Sequence, residues 1–425
     1  MKKEGYSSVQ KTKKEIPMIA ENGLLKFREP EGGTRFRMVI AGDVCPCREG
    51  ERIVAEGRSA GLFAKVAPFL NAADLRVVQW ETPLCEPVNP IPKSGPNLYA
   101  LPSSAELAAA GGFEVALLAN NHTGDYGPEM LLQTIDVLNR RGIRTVGAGA
   151  NLEEAEKPLI LTVCGEKIAI FNFCEHEFGV AQENMAGPAP QLPLRNLRAV
   201  AETAKSADRV VVTLHGGHEY NPFPSPRIQE LCRAFADAGA SFVFNCHTHC
   251  PEGIEYWNGT PIVYCPGNFY FPSIYAGKLW RFGYLPKALF DARGVYALEI
   301  LPYSFDAEEI TPLDGELRIS FFRYLETLSE PLSNPVRMKQ LFEAWSSVHG
   351  FGYLSRSLQN IPAGWDRTPS DRAVAKAMLG LRNVFSCEAH NDIVRCFLWL
   401  QEENRIDEAA KQFPYIEKLQ NPEWA

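Results

Sequence analysis

The sequence predicts an α/β fold: two packed mixed sheets flanked by helices, with a mainly helical C-terminal extension. Three observations carry this. Short β-branched runs alternate with amphipathic segments over the first three quarters of the chain, which implies sheets covered by helices. Two hairpin signals break the alternation and add antiparallel strands. After residue 301 the periodicity turns helical.

The strands come in one style. RFRMVIAGD (35–43), LRVVQWE (75–81), EVALLAN (114–120), DRVVVTLHGG (208–217) and SFVFNCHTH (241–249) are each too short for a helix, and each ends in polar residues. Between them lie helical patterns. Ile228, Leu231, Cys232 and Phe235 recur at helical spacing, and Gly239 closes the segment. PEMLLQTIDVLNRRG opens on Pro128 and ends at Gly142. The hairpins are LILTVCGEKIAIFNF, turning at Gly165, and IEYWNGTPIVY, turning at Asn258-Gly259. The Pro-rich stretch 185–196 reads as a connecting loop. Segments such as RAVAKAMLGLRNVF and RCFLWLQEENRIDEAAKQF make the last part helical. The expected division is an N-terminal arm (1–34), an α/β domain (35–304) and a helical extension (305–425).

Composition narrows the class. Of 425 residues, 45% are hydrophobic and 22% charged, as in ordinary globular proteins. The net charge of -8 removes the global basic footprint of a nucleic-acid binder, so none is expected as partner. The lysines at the start precede no apolar run, and no stretch has the roughly 20 apolar residues a membrane span needs, so a cytoplasmic location is expected. Eleven cysteines, odd in number and irregularly spaced, suit a reducing compartment better than a disulfide framework.

Function is concentrated at the strand ends, where α/β sheets bind ligands. In order these ends supply Asp43 with Cys45, then Glu81, Asn120-Asn121-His122, His215, and His247 with His249. Carboxylate, amide oxygen and imidazole are ligands for Zn²⁺, Mn²⁺ or Fe²⁺. A single histidine there is ordinarily just a strand cap; five such ends in succession reverse the odds. NCHTHC (245–250) then reads as a ligand pair.

The strings AGDVCPC, QWETPL, LLANNHTGDYG, LHGGHEY and CHTHCPEGIEYWNGTPIVYCPGNFYF resemble the metallophosphoesterase superfamily, and within it the capsule-synthesis CapA family. The resemblance spans about residues 37–271. It implies the calcineurin-like metallophosphoesterase four-layer αββα sandwich and one or two divalent ions (Mn, Fe or Zn). By this resemblance Asp43 ligates the first metal and Glu81 bridges both. Asn121, His215 and His247 complete the second metal, and His249 turns to the first. His122 protonates the leaving group. Glu219 and Tyr220, which follow a ligand-bearing strand, are placed at the substrate with Asn268, and Tyr220 is equally open to a structural hydrogen bond.

Two positions depart from the superfamily. Cys45 stands where its histidine would be; a thiolate there could ligate Zn²⁺, or the side chain could be a small buried one. Cys246 replaces a glycine before His247, which suggests a different turn. A zinc clip from Cys45, Cys47 and Cys85 lacks paired C-x₂-C spacing, and AGDVCPCREG has no G-K-[ST] of a phosphate loop. CEAH (387–390) reaches the site only if the helices fold back over it.

The resemblance leaves two functions. One is a metal-dependent hydrolase, with two-metal hydroxide attack on a phosphoester or γ-glutamyl amide bond of a small-molecule or oligomeric anionic substrate such as poly-γ-glutamate. The alternative is a non-catalytic accessory or binding protein in poly-γ-glutamate capsule synthesis, for which the net charge offers no support.

Overall fold

A computed structural model describes residues 18–273, 277–359 and 372–425. Residues 1–17 of the expected N-terminal arm lie outside them. Among the described residues no helix is long and apolar enough to cross a membrane.

The strands alternate their side chains between two faces, and the alternation builds the layers. In Phe36–Val44, Met38 and Ile40 join a core with Ile170, Val211 and Phe244, while Val39 and Ala41 join one with Ile53, Leu62 and Leu107. In Arg209–His215, Val211 enters the first of these cores, and Val210 and Val212 enter a third with Ile228 and Phe235. Three apolar seams therefore separate four layers: helices, sheet, sheet, helices.

The first sheet runs in the order Leu24–Lys26, Gly294–Phe305, Phe282–Asp291, Phe36–Val44, Leu75–Trp80, Val115–Leu117, Arg144–Val146. Its last four strands are parallel and the others antiparallel. The second runs Ile254–Trp257, Thr260–Val263, Phe242–Cys246, Arg209–His215, Glu166–Cys174, Leu159–Val163, with four parallel strands and an antiparallel one at each edge. Both sheets are mixed. The edges are the two expected hairpins. Asn258 (φ 47°) and Gly259 (φ 96°) adopt the paired positive φ of a two-residue turn.

Four features differ from the sequence reading. Leu24–Lys26, in the expected arm, pairs with Ala297–Glu299 as an edge strand. Ile310–Pro312, in the expected helical extension, is a strand that pairs with Tyr303–Phe305 and belongs to the first sheet. The stretch 185–196 is not all loop: Gly187–Pro188 pairs with Ala148–Gly149, and Pro193 opens the helix Pro193–Thr203. The strand Phe282–Asp291 is not legible in the sequence, because it is buried on both faces and interrupted by Pro286. The proline is tolerated because pairing with Phe36–Val44 begins only at Lys287.

From Gly315 the described elements are helices, including Gly315–Ser329, Pro335–Leu358, Arg372–Ser386, Glu388–Glu402 and Phe413–Gln420. Leu328, Leu341, Trp345, Ile393 and Ile416 share one apolar cluster with Val212 and Phe235. The extension thus covers the outer face of the second sheet.

One local irregularity aims the site. Pairing between Phe36–Val44 and Leu75–Trp80 slips between Ala41 and Asp43. Val39 and Ala41 face the helix layer, and after the slip Val44 does so too, which turns Asp43 away from it. Gly42 occupies the slip because a Cβ there would collide with the Gly267 carbonyl oxygen. Gly42→Ala should therefore cost about 2 to 3 kcal/mol, read as a lowered denaturation midpoint. An unchanged midpoint would show that the two backbones separate freely.

Candidate metal centre

The parallel strands of both sheets end at one edge, and their last residues meet across the seam between the sheets. Asp43, Glu81 and Asn121 come from the first sheet; His215, His247 and His249 come from the second. All six are buried. His215 Nε2 lies 3.0 Å from Asn121 Oδ1, 3.1 Å from His247 Nδ1 and 3.5 Å from Glu81 Oε1. His249 Nδ1 lies 3.6 Å from Asp43 Oδ2, and its Nε2 lies 3.9 Å from Glu81 Oε1. Glu81 faces both groups.

Each side chain is held from behind. Asn120 donates to the Trp80 carbonyl and accepts from the backbone N–H of His122 and Thr123, so its neighbour Asn121 is the one presented. The strand ends at Cys246, and His247 (φ 111°) and His249 (φ 58°) then take left-handed backbone. Non-glycine residues in such regions cost about 1 to 3 kcal/mol each and persist where surrounding structure fixes them. The bend brings both rings into the seam. The His247 N–H donates to Asp43 Oδ2 at 3.2 Å.

The donor set suits a divalent cation. Asp43 Oδ1 and both Glu81 oxygens are buried without a hydrogen-bond partner among the described residues. The single proton available at His215 Nε2 cannot serve an amide oxygen, a ring nitrogen and a carboxylate together. A cation satisfies all of them. Ligand-type atoms of Glu81, His247 and His249 lie within 4.8 Å of one another, as do those of Asp43, His215 and Cys246.

The electrostatics follow the burial. Burial pushes the Asp43 carboxyl up, but the neighbouring imidazoles of His249 and His215 outweigh it and hold it low. Burial likewise opposes charge on His249, yet Glu81 and Asp43 raise it to about 10. His247 is driven well down, first by burial and then by His215 and His249.

Other predicted residues take different places. Asn268 does not line the substrate space: it is wholly buried, its Oδ1 lies 2.8 Å from His249 Nδ1 and its amide donates to the Trp280 carbonyl. It therefore orients His249, leaving Nε2 toward Glu81. Cys45 is buried with its sulfur 3.2 Å from Cys47 Sγ, and it joins neither ligand group. Neither Cys47 nor Cys85 completes a clip in those groups. Cys246 is more than a turn residue. Its sulfur sits 3.6 Å from His215 Nδ1, behind the ring whose Nε2 faces the centre.

A cavity of about 1380 Å³ opens over this centre. Asn121, His122, His249, Glu219 and Tyr220 line it. Glu219 keeps open surface there, yet the walls around it desolvate its carboxyl and raise its pKa. Tyr220 lies over Trp280, with ring centroids 5.9 Å apart. His122 Nδ1 is 2.7 Å from Asp125 Oδ2, and buried Lys93 pairs with Asp125 while standing 3.3 Å from the same ring nitrogen. Asp125 is visible in NHTGD without a role; Lys93, 32 residues earlier on a loop, gives no signal at all in the sequence. The C-terminal helices do fold back: Tyr353, Arg356, Lys376 and His390 form one wall, and Glu388 binds His176 Nδ1 at 2.6 Å.

Fold and site together define an α/β sandwich with a buried donor set of divalent-metal type at its strand ends. The chain belongs to the bacterial capsule synthesis protein family PGA_cap, whose model matches residues 37–273. It is 30% identical over 277 residues to the PGA biosynthesis protein CapA of Bacillus subtilis (strain 168), covering 64% of this chain and 72% of that one. It is 30% identical over 256 residues to the capsule biosynthesis protein CapA of Bacillus anthracis, covering 58% of this chain and 62% of that protein's length. Among solved structures, a 5'-nucleotidase precursor from Thermus thermophilus aligns at a TM-score of 0.40 and 16% identity, over 73% of this chain and 58% of that one.

Because Asn268 acts on His249 from behind, Asn268→Ala should weaken Mn²⁺ binding by about 10 to 100-fold, with the fold intact. Calorimetric titration reads this. An unaltered affinity would remove Asn268 from the support of the centre.

Proposed function

We propose that this chain is a metal-dependent hydrolase of an anionic small molecule or oligomer, cutting a phosphoester or γ-glutamyl amide bond in poly-γ-glutamate metabolism. The observation that carries the reading is the pair of buried carboxylates, short of hydrogen bonds, that face three histidines at the floor of a large cavity. Asp43, His249 and Glu81 would hold one ion, and Glu81, Asn121, His215 and His247 the other. Mn, Fe or Zn suits this mixture of carboxylate, amide and imidazole donors. When bound, such ions supply Lewis acidity and acidify a water.

The chain's own groups do the rest. Asp125 occupies His122 Nδ1, so the free Nε2 is the atom that gives a proton to the leaving group. Lys93 neutralises Asp125 and fixes its orientation. Arg48, Arg281, Arg356 and Lys376 line the cavity and offer cations to an anionic substrate, although Glu49, Glu177, Glu219 and Asp306 line it too, while Tyr220 and Trp280 offer flat apolar surface beside the centre. Glu219, whose carboxyl pKa the surrounding walls raise by desolvation, adds a polar group to the cavity lining.

A second reading is an accessory role in poly-γ-glutamate capsule synthesis, in which the cavity binds without cutting. The names of the two Bacillus relatives favour it, since both are called biosynthesis proteins. The cavity's four basic side chains serve binding equally well.

Three variants separate the readings. His122→Ala should keep metal content and lower turnover by about 10² to 10⁴-fold. His215→Ala and Glu81→Ala should lose metal, since each removes a ligand. Metal stoichiometry and single-turnover rates on phosphoester and γ-glutamyl substrates read this. Equal metal loss in all three would make His122 a ligand, and no wild-type turnover on either substrate class would favour the accessory role.

A further inference from the structure

We propose that Cys45 and Cys47 are a modification site: a dithiol at the rim of the metal centre that a hydroperoxide converts reversibly to a disulfide. The two sulfurs lie 3.2 Å apart across Pro46. A disulfide needs about 2.05 Å, so they must close by roughly 1 Å. Proline fixes one backbone dihedral between them and so reduces the freedom lost on closure.

The two cysteines differ in access, as an oxidation site requires. Cys47 is half-buried and lines the cavity, where a small oxidant can reach it. Cys45 is sealed from solvent. Cys47 therefore reacts first, and Cys45 is positioned to resolve it. The Cys47 thiolate attacks the O–O bond of the hydroperoxide, forming a sulfenic acid and releasing an alcohol, or water when the oxidant is hydrogen peroxide. The Cys45 sulfur then attacks the sulfenic sulfur, and hydroxide leaves with the Cys45 proton as water. Two thiols are oxidised and one peroxide bond is reduced.

The surroundings decide which part moves. The Cys45 N–H is bonded to the Tyr270 carbonyl at 3.0 Å, and the Asp43 carbonyl accepts from Phe269 and Tyr270. This side is pinned to the sheet. Cys47 begins the turn into the helix Glu49–Ala55, with Arg48 at φ 59°, and its thiol donates to the Tyr99 carbonyl at 2.7 Å, one hydrogen bond that oxidation gives up. Closure thus shifts Cys47 and the neighbouring Arg48, one of the cavity's cations. The inference uses only the placement of the sulfurs, so it stands whether or not the chain proves to be a hydrolase.

The test uses the full chain, reduced, freed of reductant and treated with one equivalent of hydrogen peroxide. Trypsin releases residues 38–48 with both cysteines on one peptide. That peptide should lose two hydrogens, refuse iodoacetamide and recover both thiols with dithiothreitol. Cys45→Ser should leave a sulfenic acid on Cys47 that dimedone traps, and Cys47→Ser should abolish the oxidation. Circular dichroism checks that the variants are folded, and the wild-type peptide decides the question if they are not. The proposal fails if the wild-type peptide still takes two alkyl groups while peroxide is consumed elsewhere. It fails equally if Cys47 passes to sulfinic acid with Cys45 unchanged.

Discussion

Two carboxylates buried side by side at the meeting of two sheets are the constraint on which the rest of the structure turns. Asp43 and Glu81 are wholly enclosed, and three of their four oxygens lack a hydrogen bond among the described residues. Isolated buried charge costs several kcal/mol per ion even after relaxation. Three histidines offset part of that cost, and the rise of His249 shows the field the carboxylates create. Imidazoles alone offset it poorly, because His247 is pushed the other way by burial and by its neighbours. A divalent cation resolves both problems together, by matching the negative charge and accepting the ring lone pairs.

Much of the local backbone serves this arrangement. The bulge at Gly42 turns Asp43 out of the helix layer, and the close passage of Gly267 behind it brings Asn268 up to His249. His247 and His249 accept left-handed backbone just past the end of their strand, and the bend carries both rings into the seam between the sheets. Asn268 then settles which ring nitrogen of His249 faces inward, while Cys246 and Asp43 both flank His215 Nδ1. The strain is local, and the apolar seams on both sides of each sheet hold it in place.

The ligand-type residues are legible in the sequence because each closes a strand whose β-branched run announces itself, and parallel strands deliver their ends to one edge. The hairpin at Asn258-Gly259 is legible because few dipeptides accept its turn. What escapes depends on contacts rather than pattern. Phe282–Asp291 has no polar face to mark its period. Lys93 reaches Asp125 from a loop, and Arg356 and Lys376 reach the cavity from helices far along the chain from His249. Asn268 stands out within its motif, but its burial gives it to His249 instead of to a substrate. The direction of Cys45 is open in the sequence because a side-chain rotamer, not a spacing, decides it.

The central claim is that the convergence of Asp43, Glu81, Asn121, His215, His247 and His249 exists to hold divalent ions. Anomalous diffraction from crystals soaked in Mn²⁺, collected above and below the manganese absorption edge, tests it most directly. The account predicts density between Glu81, Asn121, His215 and His247, with a second peak beside Asp43 and His249 if both positions fill. Saturating Mn²⁺ and Zn²⁺ with no anomalous peak among these six side chains, or a peak only elsewhere on the chain, would contradict it.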